Sequence, residues 1–170
     1  MKLDLTRIAR EPGAVLPFER DLDLSPVEWN GQRPFAHTVS VTGRVRNMAG
    51  AMVLSARLSS VLSLVCDRCA RPFEREKTVE YETLLADQLA NGENDDIVLL
   101  DADGSLDLDA LMEEIYLLEM DTKNLCSEDC KGLCPGGGAD LNRESCRCKK
   151  EIDPRLAGLA RLLENRENDK

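Results

Sequence analysis

Apolar and polar residues alternate along most of the first hundred positions, and the spacing turns helical only after residue 107. A period of two is the mark of half-buried strands. It is clearest from Thr38 to Arg46, where Val39, Val41 and Val45 share a face and Gly43 marks a candidate bulge. It returns from Ala51 to Leu64 with Met52, Leu54, Ala56 and Leu58, and Asn47 to Gly50 has the length of a hairpin loop. Val61 to Val65 then carries the chain straight into Cys66. From Phe73 to Leu85, Phe73, Arg75, Lys77, Val79 and Tyr81 alternate with Glu74, Glu76, Glu80 and Glu82, so Cys66 and Cys69 sit at the tip of a β-hairpin. Met1 to Ile8, Val15 to Leu24 and Ile97 to Leu100 predict three further strands. The acidic stretch from Asp87 to Asp96 reads as a loop.

From Asp107 to Met120 the apolar residues fall at helical spacing, with Leu108, Leu111, Met112, Ile115 and Leu118 on one face. Asp107 is placed to cap that helix, and Asp109 suits its positive end. A second helix is predicted over residues 154–164, opened by Asp153-Pro154 and lined by Leu156, Leu159, Ala160 and Leu163. The fold class this predicts is α+β: a mostly antiparallel sheet or partly open barrel, two C-terminal helices and a cysteine-rich loop. The expected organisation is a single domain over 1–170. Residues 1–100 are mainly β, 101–124 carry the first helix, 125–150 the cysteine-rich loop, 151–164 the second helix and 165–170 a frayed tail.

Composition changes this picture in two ways. Aromatic residues are only 4% of the chain, which leaves the core to Leu, Val, Ile and Ala. The formal charge of −10 favours solubility and repels bare phosphate backbones. No apolar stretch reaches membrane-spanning length, and the start MKLDLTRIAREPG has no apolar signal region. The expectation is a cytoplasmic protein with no membrane contact. Thiols stay reduced there, so seven cysteines argue for metal rather than disulfides.

Five of those cysteines fall between Leu125 and Cys148: Cys126, Cys130, Cys134, Cys146 and Cys148. Closely spaced thiol pairs flanking a glycine-rich bend suit a tetrahedral zinc ion. Cys134-Pro135 followed by Gly136, Gly137 and Gly138 resembles a zinc knuckle of the form C-P-x-C-G with Gly137 at the second thiol position. In a ribbon-like pairing Cys66 and Cys69 would join Cys134, giving an incomplete set of three. Cys126, Cys130, Cys146 and Cys148 would then form the complete set. The expectation is one zinc per chain, in that second set. Free, unliganded thiols are the alternative.

Catalytic readings gain little. The chain has one histidine, His37, beside Phe35 in a region of β alternation, and a nucleophilic cysteine wants a neighbouring base. A thioredoxin-type C-x-x-C opens a helix, whereas Pro72 and the alternation after it point to a strand. Gly136–Gly138 lacks the G-K-[ST] ending of a phosphate loop, so no small-molecule substrate is expected. Between Thr38 and Lys77 the net charge is +4, against −14 for the rest. Arg44, Arg46, Arg68 and Arg71 are the candidate RNA contacts in that segment. The acidic remainder suits a basic ribosomal protein.

Several ordered motifs carry a resemblance. They are Val65-Cys66-Asp67-Arg68-Cys69-Ala70-Arg71-Pro72-Phe73, the helix opening Leu106-Asp107-Leu108, Leu125-Cys126, Cys130-Lys131-Gly132-Leu133-Cys134-Pro135 with Gly138-Ala139-Asp140-Leu141-Asn142, and Ile152-Asp153-Pro154-Arg155-Leu156. From about Val39 to Leu163 the chain resembles the YceD-like family of large ribosomal RNA subunit accumulation proteins. Gly137 departs from the cysteine-rich members. The resemblance implies a bacterial or plastid protein needed for normal levels of large-subunit (23S) RNA, with no enzyme activity. The function expected is a non-catalytic assembly factor that binds the large-subunit RNA precursor or a basic ribosomal protein. The alternative class is a metal- or thiol-dependent redox enzyme.

Overall fold

The computed structural model describes residues 1–87, 97–146 and 148. The predicted helix over 154–164 and most of the acidic loop lie outside the described residues. The chain falls into two compact units: Met1–Cys66 with Arg71–Cys126, and Asp67–Ala70 with Ser127–Lys170.

Among the described residues, the strands and helices all belong to the first unit. They are β1 (Lys2–Asp4), α1 (Thr6–Ala9), β2 (Val15–Leu22), β3 (Val39–Met48), β4 (Ala51–Val65), β5 (Pro72–Ala86), β6 (Ile97–Leu99), β7 (Ser105–Asp107) and α2 (Leu108–Leu118). Strands β2 to β6 form one sheet in sequence order, antiparallel throughout except for the parallel β5–β6 pair. The sheet is open, because β2 and β6 are its edges, so the partly closed barrel is not formed. A separate ladder pairs β1 with β7.

The alternation read from the sequence survives in the registers. Val41 lies opposite Leu58 and Val45 opposite Leu54, and all four are buried. One sheet face therefore joins the core, and the other carries Thr42, Arg44 and Arg57. Gly43 makes no bulge: it pairs regularly with Phe18 and Ala56. It is a glycine for space. A Cβ there would sit 2.5 Å from both Phe18 Cζ and the Ser55 carbonyl oxygen, so the Phe18 ring can lie against β3 only if no side chain intervenes.

Two local expectations fail for identifiable reasons. Residues 6–9 are helical rather than extended. Asp4 Oδ1 accepts from the Thr6 backbone N–H (2.9 Å) and hydroxyl (2.7 Å), turning the chain so that Leu5 and Ile8 are buried. On α2 the buried stripe is Leu108, Met112 and Tyr116, and Leu118 is 72% exposed. Leu111 and Ile115 are half-buried beside it. Asp107 caps α2 as expected, accepting from the Ala110 N–H. Tyr116 is fully buried beside Phe35, and its hydroxyl finds no partner among the described residues. Burial pushes its pKa up to about 12.

The β3–β4 hairpin turns on two residues, Ala49 (φ 55°) and Gly50 (φ 102°). Two-residue hairpins that match strand twist need positive φ at both positions, which costs alanine about 1 kcal/mol. Ala49→Gly is expected to stabilise the protein by about that amount. Urea denaturation checks it, and an unchanged or lower midpoint rejects it.

Candidate metal centre

The β4–β5 hairpin closes around Cys66 to Arg71, where the Cys66 N–H donates to the Arg71 carbonyl at 2.9 Å. Cys66 and Cys69 are both buried. Elsewhere in the first unit, Arg75 ties down the segment that leads to Cys126. Its guanidinium donates to the Leu125 carbonyl at 2.6 Å and to Asp121 at 3.2 Å, and it lies over the Phe73 ring. Lys77 approaches Asp121 at 3.9 Å. Arg75 and Lys77 thus serve the inner side of β5.

In the second unit, Arg68 organises the backbone. It donates to the carbonyls of Cys130 (2.9 Å) and Glu128 (3.4 Å), and its own carbonyl accepts from the Leu133 N–H. Gly132 has φ 76°, and a Cβ there would meet the Arg68 carbonyl oxygen at 2.9 Å. Asn142 Oδ1 accepts from the Lys131 N–H, and Cys134 N–H donates to the Ala139 carbonyl. Gly138 N–H returns to the Cys134 carbonyl, completing the bend.

The thiols fall into two groups that differ from the sequence partition. Cys66, Cys69, Cys126 and Cys130 offer sulfurs within 4.8 Å of one another, and so do Cys134, Cys146 and Cys148. Cys126 and Cys130 are therefore grouped with the hairpin pair rather than with Cys146 and Cys148. The group with four members is the one containing Cys66, and the group lacking one is the one containing Cys134.

The four-thiol group fits zinc. Thiolates at about 2.3 Å from a tetrahedral ion stand about 3.8 Å apart, within the observed spread. Three of the four cysteines are buried. N–H donors address the sulfurs: Arg71 Nη2 lies 3.4 Å from Cys126 Sγ, and Asn142 Nδ2 lies 3.6 Å from Cys130 Sγ. Such outer contacts offset thiolate charge and orient ligands. In the three-thiol group Cys134 Sγ lies 2.6 Å from Cys146 Sγ, and the Cys148 N–H donates to Cys146 Sγ. The hydrogen bond with Cys146, aided by the N–H groups of Gly136 and Gly137, lowers the Cys134 pKa to about 7. The contacts with Cys146 and then Cys134 raise that of Cys148 to about 11.

The four candidate arginines are not brought to one place. Arg44 and Arg46 lie on the outer sheet face, opposite Ser55 and Val53. Cys66 is eleven residues beyond Ser55, about 35 Å along β4. Arg71 sits at that far end against Cys126, and Arg68 holds backbone carbonyls. His37 is exposed. Among the described residues no helix is long and apolar enough to cross a membrane.

Residues 54–163, well over half of the chain, match the family model described as large ribosomal RNA subunit accumulation protein YceD. The match spans both thiol groups, and its description names an accumulation role and no reaction. An uncharacterized protein of Mycobacterium tuberculosis (strain H37Rv) is 26% identical, covering 96% of this chain and 81% of that protein. The uncharacterized protein YlbN of Bacillus subtilis (strain 168) is 27% identical over 96% of both chains. An uncharacterized protein of Mycobacterium leprae is 23% identical over 94% of this chain and 76% of its own length. No solved structure matches. By this match the chain belongs to the YceD family of large ribosomal RNA subunit accumulation proteins.

Proposed function

We propose that the chain is a non-catalytic ribosome-assembly factor in the cytoplasm. It supports accumulation of 23S RNA by binding the large-subunit RNA precursor or a basic ribosomal protein on it. The observation that carries this reading is the family match across residues 54–163. A structural zinc, held by Cys66, Cys69, Cys126 and Cys130, keeps the cysteine-rich segment ordered. Its work is structural, since four thiolates leave no open coordination position.

The contact face is the outer side of the sheet. Arg44 and Arg46 on β3 stand beside Arg57 on β4, which pairs with Glu80 at 3.6 Å. Phosphate contact there releases counterions, so binding weakens with salt. Arg68 and Arg71 are poor probes of such a face, because both hold the surroundings of the thiols. The informative variant is Arg44→Glu with Arg46→Glu. The native chain is expected to comigrate with large-subunit precursors in a sucrose gradient, and the folded double variant to run free. Comigration unchanged by the double substitution rejects the face. A native protein that runs free and turns over thiols favours the redox-enzyme class instead. Crosslinking in cells then tells RNA from protein as the partner.

A further inference from the structure

We infer that Cys134, Cys146 and Cys148 form a second metal site, open at its fourth position and exchangeable, and that Gly137 is the residue that keeps it open. This rests on the reading that the four-thiol group keeps a zinc of its own. The three sulfurs lie within 4.8 Å of one another, Cys134 buried and the other two exposed. Among the described residues no further Cys, His, Asp or Glu joins them. A closed structural zinc site takes four protein ligands, and one with three leaves its last position to solvent or to an incoming ligand.

The position where a fourth sulfur belongs is identifiable. Residue 137 follows Cys134 at the spacing by which a C-x-x-C turn presents its second thiol. It is a glycine, and a Cβ built on it would come within 2.7 Å of Cys148 Sγ, with no other atom of the described residues beyond its two chain neighbours inside 4 Å. A side chain at 137 is therefore directed into the thiol group, and only the movable end of Cys148 stands in its way. Gly136 also faces this residue, its Cβ position being 3.3 Å from Cys148 Cβ. The bare glycine turn gives Cys148 its seat and withholds the donor that would close the site.

The test loads the full chain with excess zinc in reducing buffer and measures zinc by elemental analysis before and after dialysis against EDTA. The native chain is expected to take two zinc ions and give up one. Cys148→Ser is expected to hold only the retained ion, whose presence shows that the variant is folded. Gly137→Cys is expected to keep both, a gain that misfolding cannot imitate. Gly137→Ala, which adds the Cβ without the sulfur, gains no retention. A native chain that never binds more than one zinc overturns the inference, as does a Gly137→Cys variant that loses its second ion as readily as the native chain. A gain in Gly137→Ala overturns it too. If the native chain retains no zinc at all, the four-thiol reading fails instead. A difference of one retained ion between Gly137→Cys and the native chain still decides this one.

Discussion

Cys66→Ser is expected to strip the chain of its tightly held zinc and to loosen residues 126–146 while the sheet stays folded. Cys66 is only 1% exposed and belongs to the group with four sulfurs. A serine hydroxyl does not replace a thiolate on zinc, and an ion left with three ligands is open to water. The consequence is large because the segment has little else to hold it. Among the described residues the buried apolar cluster runs through Met120 and has no member beyond it. What it does have includes side-chain-to-backbone bonds such as Arg68 to the Cys130 carbonyl and the Lys131 N–H to Asn142. Against that, a structural zinc contributes roughly 10 kcal/mol of apparent binding free energy. Strands β3 and β4 pack Val41, Val45, Leu54 and Leu58 without any thiol, so they persist. Elemental analysis after chelation reads the metal, and amide hydrogen exchange reads residues 126–146 against 52–64. Cys146→Ser is expected to leave the retained zinc in place. If Cys146→Ser removes it and Cys66→Ser does not, the grouping of thiols is wrong even though the metal is real.

The sheet was legible because one face is buried and the other is wet, which writes the strand period into the sequence directly. Alternation from Val39 to Leu64 therefore placed β3, β4 and their hairpin within two residues of their observed bounds. Where both faces carry apolar residues the signal fails. Helix α2 has Leu108, Leu111, Met112, Ile115, Tyr116, Leu117 and Leu118 around most of its girth, so spacing alone did not choose between the Tyr116 and Leu118 sides. Strand β7 is three residues long and exists by pairing with β1, more than a hundred positions away. The cysteine grouping was hidden for the same reason: it depends on where the chain returns. The net +4 of Thr38–Lys77 misled differently. Alternation sends Arg44, Arg46 and Arg57 to the outer face and Arg75 and Lys77 to the inner side, while Arg68 and Arg71 turn to the cysteine segments. A charged stretch of sequence is not a charged surface.

Asn47 looked like an ordinary loop residue and carries the second large expected effect. It is 1% exposed at the end of β3, and both its amide hydrogens and its amide oxygen have partners. Its Nδ2 donates to the carbonyls of Ile8 (2.8 Å) and Ala9 (3.0 Å) at the end of the short helix α1, and the Ile8 carbonyl also accepts from the Glu11 N–H at 3.2 Å. Its Oδ1 accepts from the Gly50 N–H at 2.9 Å, holding the hairpin turn. Its backbone is paired as well, to Gly13 and Ala14, so three of the four side-chain hydrogen-bonding positions and both backbone groups are engaged. Asn47→Ala strands the Ala9 carbonyl and the Gly50 N–H, at least partly sealed from water, and leaves the Ile8 carbonyl with its Glu11 bond alone. The expected cost is about 3 kcal/mol, since each stranded group forfeits its desolvation penalty. Asn47→Asp separates hydrogen bonding from volume. One carboxylate oxygen still accepts from Gly50, but the other faces two carbonyl oxygens where a donor stood. That disfavours the charged form in the folded chain and raises its pKa above the unfolded value of about 3.9. The variant is therefore closest to the native protein below that pH. It loses stability relative to the native protein as pH rises through the folded pKa. Urea titrations of all three proteins at pH 3.5 and pH 7 measure both effects. A deficit in Asn47→Asp that is the same at the two pH values would mean that the carboxylate does not face Ile8 and Ala9.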